Sequence, residues 1–272
     1  MENTIKLIIS DMDDTLLHTR GHIPEKNLRV LNAARQAGIG VTLASGRMFS
    51  AMREVAEELK VTLPLIAYNG AMVRLPDPPG TILAHHTLKE HQVRMILDLL
   101  SPFDTHINAY LDDVLYSRSD NLAIQKYAKK QNLRFQIIED FRSLPSLNLT
   151  KLLVIEDRPE LMGEIRKALN TQTEAEICYS AAHYCEVLPR GVSKGTGLEF
   201  LCRYLGIETS QVIAFGDQEN DIPMLETAGI GVAMGNAQPA VKAAADVIAR
   251  ENDQDGLAET LLDYLPELKD LL

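Results

Sequence analysis

The chain has 272 residues, of which 46% are hydrophobic and 24% charged, a composition that excludes a disordered or fibrous protein. Its 27 Lys and Arg residues are outnumbered by 38 Asp and Glu residues, and the net charge of -11 argues against binding to nucleic acid or to an anionic membrane face. The apolar stretches are far shorter than the roughly 20 residues that span a bilayer. We therefore expect a chain that binds neither nucleic acid nor a membrane.

The N-terminal segment lacks the basic and apolar regions of a secretory signal, so we expect a cytoplasmic protein. The three cysteines, Cys178, Cys185 and Cys202, have no paired spacing, and we interpret them as reduced core thiols. Nothing in the sequence determines the oligomeric state.

Strand-like and helix-like segments alternate in the first part of the chain. Apolar runs predict strands at 7–9, 39–44 and 65–67, and helical periodicity predicts helices at 25–36 and around 52–59. A turn at 76–80, which is rich in proline, predicts a hairpin between two short apolar runs. This alternation is typical of βαβ units in a parallel sheet.

The pattern changes after about residue 84. Two strands at 107–111 and 114–117 are separated only by Asp112-Asp113, a tight hairpin that a purely parallel sheet cannot contain. The βαβ pattern resumes from Ser193. We predict an α/β fold, a doubly wound and mainly parallel Rossmann-like core of residues 1–83 and 191–272, interrupted by an inserted α+β domain of residues 84–190.

Polar residues follow the first two core strands, where open parallel sheets bind ligands. Asp11 and Asp13 are spaced i, i+2 after the first strand, and two carboxylates this close repel each other unless a cation lies between them. An acidic, solvated turn is the alternative. Ser45 and Gly46 precede a predicted helix, where free amides favour an anion, although Ser45 is also a common type of helix cap.

The second half of the core carries further candidates. Lys194 opens a predicted helix, where a cation opposes the helix dipole, so this position suggests another partner for the ammonium group. A surface lysine is the alternative interpretation. Asp217, Asn220 and Asp221 follow the strand at 212–215, and hard oxygen ligands such as these favour Mg²⁺.

The sequence resembles the haloacid dehalogenase-like hydrolases and, within them, the Cof-type phosphatases. Four family motifs occur in order, DMDDTL at 11–16, ASGR at 44–47, GVSKG around Lys194 and GDQENDIPML at 216–225. Further Cof-like stretches are YNGA at 68–71, YLDDVLY at 110–116 and EVLPRGVSKG at 186–195. The resemblance covers essentially the whole chain.

This resemblance implies a phosphatase that works in two steps. Asp11 would attack the phosphorus and form an aspartyl-phosphate, and Asp13 would act as general acid and then as general base. Mg²⁺ would be held by the Asp11 carboxylate, the Asp13 main-chain carbonyl and Asp217, with Asp221 in or near its water shell. The phosphoryl oxygens would be bound by Ser45, the Gly46 amide, Lys194 and Asn220.

Two further positions match the family near the mouth of the site, namely Arg47 and Asn69. A substrate-binding role and a structural role are both open for each of them.

Only one helix and one strand separate Asp11 from Ser45, so a large cap fits only between Ser45 and Lys194. We therefore interpret residues 84–190 as a cap that closes over the site and excludes water. Asp112, Asp113, Tyr116 and Tyr184 are candidates for specificity, with solvated turn and core packing as alternatives.

Two other functions stay open. A sugar phosphomutase of the same fold shares both aspartates, and a binding protein for phosphorylated metabolites could retain the fold without catalysis. Asp13 argues against a dehalogenase, because a halide leaving group needs no acid. The resemblance implies small substrates such as sugar phosphates, pyridoxal phosphate or flavin mononucleotide, and the sequence does not choose among them.

Overall fold

The computed structural model describes residues 4–78 and 80–272, which form nine α-helices and fourteen β-strands in three sheets. The helices are α1 (Glu25–Gln36), α2 (Phe49–Glu58), α3 (Glu90–Leu100), α4 (Leu122–Lys130), α5 (Pro159–Gln172), α6 (Lys194–Leu205), α7 (Ile222–Thr227), α8 (Pro239–Ala244) and α9 (Gly256–Tyr264). Within these described ranges, none of the helices combines the length and the apolar character that a bilayer crossing needs.

The central sheet has five parallel strands in the order β14-β13-β12-β1-β2. These strands are β1 (Leu7–Ser10), β2 (Gly40–Leu43), β12 (Val212–Gly216), β13 (Ile230–Ala233) and β14 (Val247–Ile248). Because side chains alternate along a strand, Ile8 packs in the core that contains α1 and α9, whereas Leu7 and Ile9 pack in the core that contains α6 and α7. Helices thus cover both faces, which confirms the predicted doubly wound α/β arrangement.

A small antiparallel sheet adjoins the central one. Its strands are β3 (Leu65–Ala67), β4 (Met72–Arg74) and β5 (Ile82–His85). A single parallel bridge between Ala44 and Ile66 links it to the end of β2. The pairing of β4 with β5 confirms the hairpin predicted around 76–80, although Pro79 in that turn lies outside the described residues.

The third sheet has six strands in the order β10-β11-β9-β6-β7-β8. They are β6 (His106–Leu111), β7 (Val114–Ser117), β8 (Phe135–Ile137), β9 (Lys151–Ile155), β10 (Glu176–Ala181) and β11 (Tyr184–Leu188). The hairpin predicted at Asp112-Asp113 is confirmed, because Leu111 pairs with Val114 and the two aspartates have φ of 50° and 60°. Positive φ at both positions is what a two-residue hairpin turn of this kind requires.

The two faces of the six-stranded sheet differ. One face packs against α3 and α5 in an apolar cluster of its own. From the other face, Tyr110 and Leu153 join the apolar cluster that also contains Ile8 of the central sheet. The boundaries of the inserted domain at 84 and 190 stay a prediction.

All three cysteines are free, and Cys185 and Cys202 are buried as predicted, whereas Cys178 is half-buried.

Candidate active site

The site begins where two neighbouring strands of the central sheet end. Ser10 of β1 lies beside Phe215 of β12, and the backbone N–H of Asp11 donates to the Phe215 carbonyl at 2.9 Å. Asp11 and Asp217 therefore leave the sheet at the same edge. Carboxylate oxygens of Asp11, Asp217 and Asp221 all lie within 4.8 Å of one another, and all three residues are buried. The structure thus brings together three of the acids that the sequence singled out as metal ligands, and their role as ligands stays a prediction.

Lys194 completes this cluster. It is the first residue of α6, and its Nζ lies 2.5 Å from Asp11 Oδ1 and 2.5 Å from Asp221 Oδ1. Its side chain is only 1% exposed, so the interpretation as a surface lysine is wrong. The two carboxylates are the partners that the unfavourable position of this cation at a helix N-terminus suggested.

The cluster holds three carboxylates against the one ammonium group of Lys194, so negative charge is in excess. Burial raises the pKa of Asp11 well above its usual range, and Lys194 opposes this shift while Asp221 and Asp217 add to it. Burial and the charge of Asp221 raise the pKa of Asp217 to about 7. Three carboxylates thus share one ammonium group in a buried space, which disfavours full ionisation without a further cation. A set of oxygen donors with this charge fits a hard divalent ion such as Mg²⁺.

Hydrogen bonds hold the two carboxylates on the β12 side in place. Asp217 accepts from Thr15 Oγ1 at 2.7 Å and from Gln218 Nε2 at 2.8 Å. Asp221 Oδ2 accepts the backbone N–H groups of Asp217 and Gln218, each at 3.0 Å. Gly216 leaves room for this arrangement, because a Cβ there would lie 2.4 Å from the Cβ of Asp221.

Asp13 lies in the turn that follows Asp11, and its side chain is outside the cluster of three carboxylates. It accepts hydrogen bonds from Arg47 Nε at 2.8 Å and from Arg47 Nη2 at 2.6 Å. Burial alone would raise the pKa of Asp13, but the guanidinium group outweighs it and the pKa is lowered. The side chain of Asp13 is 36% exposed, whereas that of Asp11 is 8% exposed. Both aspartates line the cavity, and Asp13 is the more exposed of the two.

Ser45 and Gly46 follow β2 at the same edge of the sheet. The helix α2 begins only at Phe49 and its cap is Met48, so the interpretation of Ser45 as a helix cap is wrong. The Ser45 hydroxyl oxygen instead accepts the backbone N–H of Arg47 at 3.2 Å. Ser45 is buried and lines a cavity together with Asp11, Asp13 and Gly46.

Asn69 and Asn220 form a buried pair beside Gly46. Asn69 Nδ2 donates to Glu186 Oε2 at 3.1 Å, and Asn69 Oδ1 accepts from Asn220 Nδ2 at 2.9 Å. The buried Oδ1 of Asn220 has no hydrogen-bond partner among the described residues. Asn220 lines the cavity and Asn69 lies behind it, so Asn69 is placed to orient Asn220.

The cavity has a volume of about 280 Å³ and lies between the central sheet and the six-stranded sheet. The six-stranded sheet and its helices contribute the other wall of the cavity, namely Tyr127, Lys130, Gln131, Lys151, Leu153, Ser180, Ala181, His183, Tyr184 and Glu186. Only Tyr184 was among the candidates from the sequence. No sequence pattern distinguishes Lys130, which is simply the last residue of α4.

The other three candidates from the inserted segment do not line this cavity. Tyr116 packs against the cluster of α3 and α5, so its interpretation as core packing is confirmed. Asp113 lies in the hairpin turn and accepts hydrogen bonds from Tyr68 Oη at 2.8 Å and from the Ser50 N–H at 3.1 Å. Asp112 is exposed in the same turn.

Comparison with known proteins identifies relatives over nearly the whole chain. The sequence model of the haloacid dehalogenase-like hydrolases matches residues 8–261. The chain is 30% identical to the 5-amino-6-(5-phospho-D-ribitylamino)uracil phosphatase YitU of Bacillus subtilis, over 97% of this chain and 99% of the relative. It is 32% identical to an HMP-PP phosphatase of Escherichia coli, over 88% of this chain and 87% of the relative.

The fold comparison agrees with the sequence comparison. The crystal structure of TM0651 from Thermotoga maritima superposes with a TM-score of 0.83 and 34% identity, over 96% of this chain and 97% of that one. The resemblance carried by the four motifs is therefore confirmed by both comparisons. The chain belongs to the haloacid dehalogenase-like hydrolases and, within them, to the Cof-type phosphatases.

Proposed function

We propose that this protein is a Mg²⁺-dependent phosphatase that hydrolyses small phosphomonoesters through an aspartyl-phosphate on Asp11. The observation that carries the proposal is the buried cluster of Asp11, Asp217 and Asp221 around Lys194, at the edge of a parallel sheet. This cluster combines a nucleophile with a cation site and an ammonium group, and these are the parts that phosphoryl transfer requires.

The residues that would hold Mg²⁺ are the Asp11 carboxylate, the Asp13 main-chain carbonyl and Asp217, with Asp221 beside them. The bound ion would supply positive charge that lets an anionic nucleophile approach an anionic phosphate and that stabilises the phosphoryl oxygens. Lys194 holds one oxygen of Asp11 at 2.5 Å and favours its ionised form, which is the form that attacks.

The reaction then proceeds in two displacements. In the first, an oxygen of Asp11 attacks the phosphorus, the bond to the ester oxygen breaks, and Asp13, which takes up a proton before this step, gives it to that oxygen. Arg47 lowers the pKa of Asp13 and so favours the ionised carboxylate that this transfer leaves. In the second, the Asp13 carboxylate takes a proton from water, the water oxygen attacks the phosphorus, and the bond to Asp11 breaks. Inorganic phosphate leaves, and both aspartates return to their starting states.

The phosphoryl oxygens would be bound by Ser45, the Gly46 amide, Lys194 and Asn220. Three of these residues line the cavity directly, and the Lys194 ammonium lies against Asp11 at its floor. Such donors stabilise charge that develops in the transition state when they are already in place. Arg47, which also lines the cavity, would act on Asp13, and Asn69 would act on Asn220 from behind it.

We further propose that residues 84–190 form a cap over this site and supply the contacts to the leaving group. Tyr127, Lys130 and Tyr184 line the same cavity as Asp13, and the cavity is close in size to small-ligand pockets. The curated relatives act on a ribitylaminouracil phosphate and on HMP-PP, which supports a small phosphorylated metabolite as the substrate class. Sugar phosphates, pyridoxal phosphate and flavin mononucleotide are the first candidates to test.

The test is release of inorganic phosphate from an aryl phosphate by the purified chain, with and without Mg²⁺. We expect Asp11→Asn or excess chelator to lower the rate by at least about 10³-fold. The surface variant Asp263→Asn in α9 is the matched control and keeps the unmodified rate. Full activity of Asp11→Asn would refute the assignment of the nucleophile.

The two other functions give different results in the same assay. A mutase would isomerise a sugar phosphate without releasing inorganic phosphate, and a binding protein would bind phosphorylated metabolites and leave them unchanged. A screen of phosphorylated metabolites, ranked by kcat/KM, then identifies the preferred substrate.

A further inference from the structure

A buried ion pair in the six-stranded sheet contacts the loop after β2 that contains Ser45 and Gly46. Lys151 opens β9 and Glu186 lies in the adjacent strand β11, and Lys151 Nζ lies 2.8 Å from Glu186 Oε2. The two side chains are 1% and 4% exposed. Removing two charges from water is costly, and a pair of hydrophobic residues often fills such a space at least as well. The pair therefore calls for an explanation beyond stability.

Lys151 reaches from the six-stranded sheet to the loop after β2. Its Nζ donates to the Gly46 carbonyl at 2.7 Å, and it lies 4.8 Å from the centre of the Tyr110 ring. Burial alone would lower the pKa of Lys151, but Glu186 outweighs it and the pKa is raised. The ammonium group thus stays charged at neutral pH while it holds this carbonyl.

The Gly46 carbonyl and the Arg47 N–H belong to one peptide unit. That N–H donates to the Ser45 hydroxyl oxygen at 3.2 Å. An ammonium group on the carbonyl fixes the plane of the peptide and strengthens its N–H as a donor. The Ser45 oxygen is then held as an acceptor, and its own O–H remains to donate into the cavity.

Glu186 contacts the same loop in a second way, through Asn69 and through packing on Gly46. It accepts from Asn69 Nδ2 at 3.1 Å, which fixes the orientation of that amide and leaves Asn69 Oδ1 to accept from Asn220. A Cβ on Gly46 would lie 3.2 Å from Glu186 Oε1 and 3.1 Å from Asn69 Oδ1, so both side chains pack directly on this glycine. One carboxylate thereby orders Gly46 and Asn220 together.

We propose that Lys151 and Glu186 are positioning residues, which orient Ser45 and Asn220 for phosphate from the opposite side of the cavity. The inference rests on the proposed function, in which Ser45 and Asn220 bind the phosphoryl group. Both side chains line the cavity, and the proposed mechanism gives neither of them a role on the reacting atoms. They act through the Gly46-Arg47 peptide and through Asn69.

The test is a double-mutant cycle on the affinity of the full chain for inorganic phosphate, measured by calorimetry in Mg²⁺ buffer. We expect Ser45→Ala and Lys151→Met each to weaken phosphate binding about tenfold, the usual size for a hydrogen bond to a charged group. Because Lys151 acts through Ser45, the double variant loses about tenfold and not about 100-fold. The exposed Lys167→Met in α5 is the control and binds phosphate as the unmodified chain does.

Lys151→Met leaves the Glu186 charge unpaired and could prevent folding, so Lys151→Met/Glu186→Gln is made as well. We expect this double variant to melt as a folded protein and still to bind phosphate about tenfold more weakly. Normal phosphate affinity in a folded Lys151 variant, or additive losses with Ser45→Ala, would overturn the inference.

Hydrolysis of an aryl phosphate is measured on the same samples. It distinguishes failure of the positioning role of Lys151 and Glu186 from failure of the proposed phosphatase function. Phosphate release by the unmodified chain with additive binding losses overturns the inference alone. Coupled binding losses in a protein that releases no phosphate refute the proposed function and support the inference. An unmodified chain that does not bind inorganic phosphate refutes the inference.

Discussion

The guanidinium group of Arg47 holds the carboxylate of Asp13 through two hydrogen bonds, at 2.8 and 2.6 Å. This fork matches the planar geometry of a carboxylate, which a lysine ammonium group cannot reproduce. In the proposed function it fixes the side chain that meets the ester oxygen of the substrate. Arg47 would then affect the acid and base steps through its contact with Asp13.

Arg47→Lys is expected to lower kcat for an aryl phosphate by about tenfold, because Asp13 loses its fixed orientation. The loss should be larger for an alkyl phosphate, whose alcohol is a poor leaving group and depends more on protonation by Asp13. Steady-state kinetics on both substrates measure this difference. Arg53→Lys, at an exposed position of α2, is the matched control; an equal loss on both substrates would count against a role through Asp13.

Asp217→Asn tests the cation site separately from catalysis. The variant removes one of three crowded carboxylates. The pKa of Asp217 is raised to about 7, which means that ionisation of this carboxylate is unfavourable. In chelator we expect it to melt at a higher temperature than the unmodified chain, because less like charge is buried. We also expect Mg²⁺ to stabilise it only at concentrations raised at least about tenfold.

Thermal unfolding across a Mg²⁺ titration measures both effects without any assay of turnover. The exposed Glu226→Gln in α7 serves as the control and keeps the unmodified response to Mg²⁺. Unaltered Mg²⁺ stabilisation in Asp217→Asn would exclude this carboxylate as a ligand.

Some candidate residues can be singled out from the sequence because each directly follows a strand or starts a helix. Asp11, Asp217 and Lys194 occupy such positions, and the parallel order of the strands brings them to one edge of the sheet. The contacts of Lys151 could not be predicted in this way. Its partner Gly46 is 105 positions away along the chain, and their contact depends on how two separate sheets pack.

The same limit applies to the far wall of the cavity. Tyr127 lies on the buried face of α4, and no pattern in the sequence indicates that this face lines the same cavity as Asp13. Lys130 and Gln131 follow on the same helix end and carry no local signal of function. The sequence therefore predicts candidates for the chemistry, and only the packing of the sheets determines which residues line the cavity beside them.

Gly216→Ala is expected to destabilise the protein by about 1–3 kcal/mol, the usual cost of overpacking. An added Cβ would lie 2.4 Å from the Cβ of Asp221, so the Asp221 carboxylate must move away from Lys194. Urea unfolding measures the stability loss. Gly163→Ala is the matched control, because that glycine lies within α5 with nothing within 4 Å of an added Cβ.

Gly163→Ala, the control, should instead stabilise the protein by about 0.5–1 kcal/mol, since alanine is a better helix former than glycine. Equal stability changes in the two variants would mean that the close approach of Asp221 to Gly216 does not constrain this site.

His85 lies in β5, close to the predicted start of the cap, and its ring Nε2 lies 2.9 Å from Thr150 Oγ1. Burial lowers its pKa below the ordinary value of 6.5. Four charged or titratable groups add to this effect or oppose it. Asp112 and Asp113 raise the pKa of His85, whereas His86 and Arg74 lower it. The net effect is that the folded protein holds His85 neutral at a pH where the unfolded chain already binds a proton.

A lowered histidine pKa makes the folded state less stable in acid, because the unfolded chain takes up protons first. The free energy of unfolding should therefore fall as the pH drops below about 6.5 towards the lowered value. His85→Gln cannot titrate, so its stability should fall less between pH 7.5 and pH 5 than that of the unmodified chain. Urea unfolding at both pH values measures the difference, with the exposed His91→Gln of α3 as the control; an identical fall in His85→Gln and in the unmodified chain would show that acid sensitivity arises elsewhere.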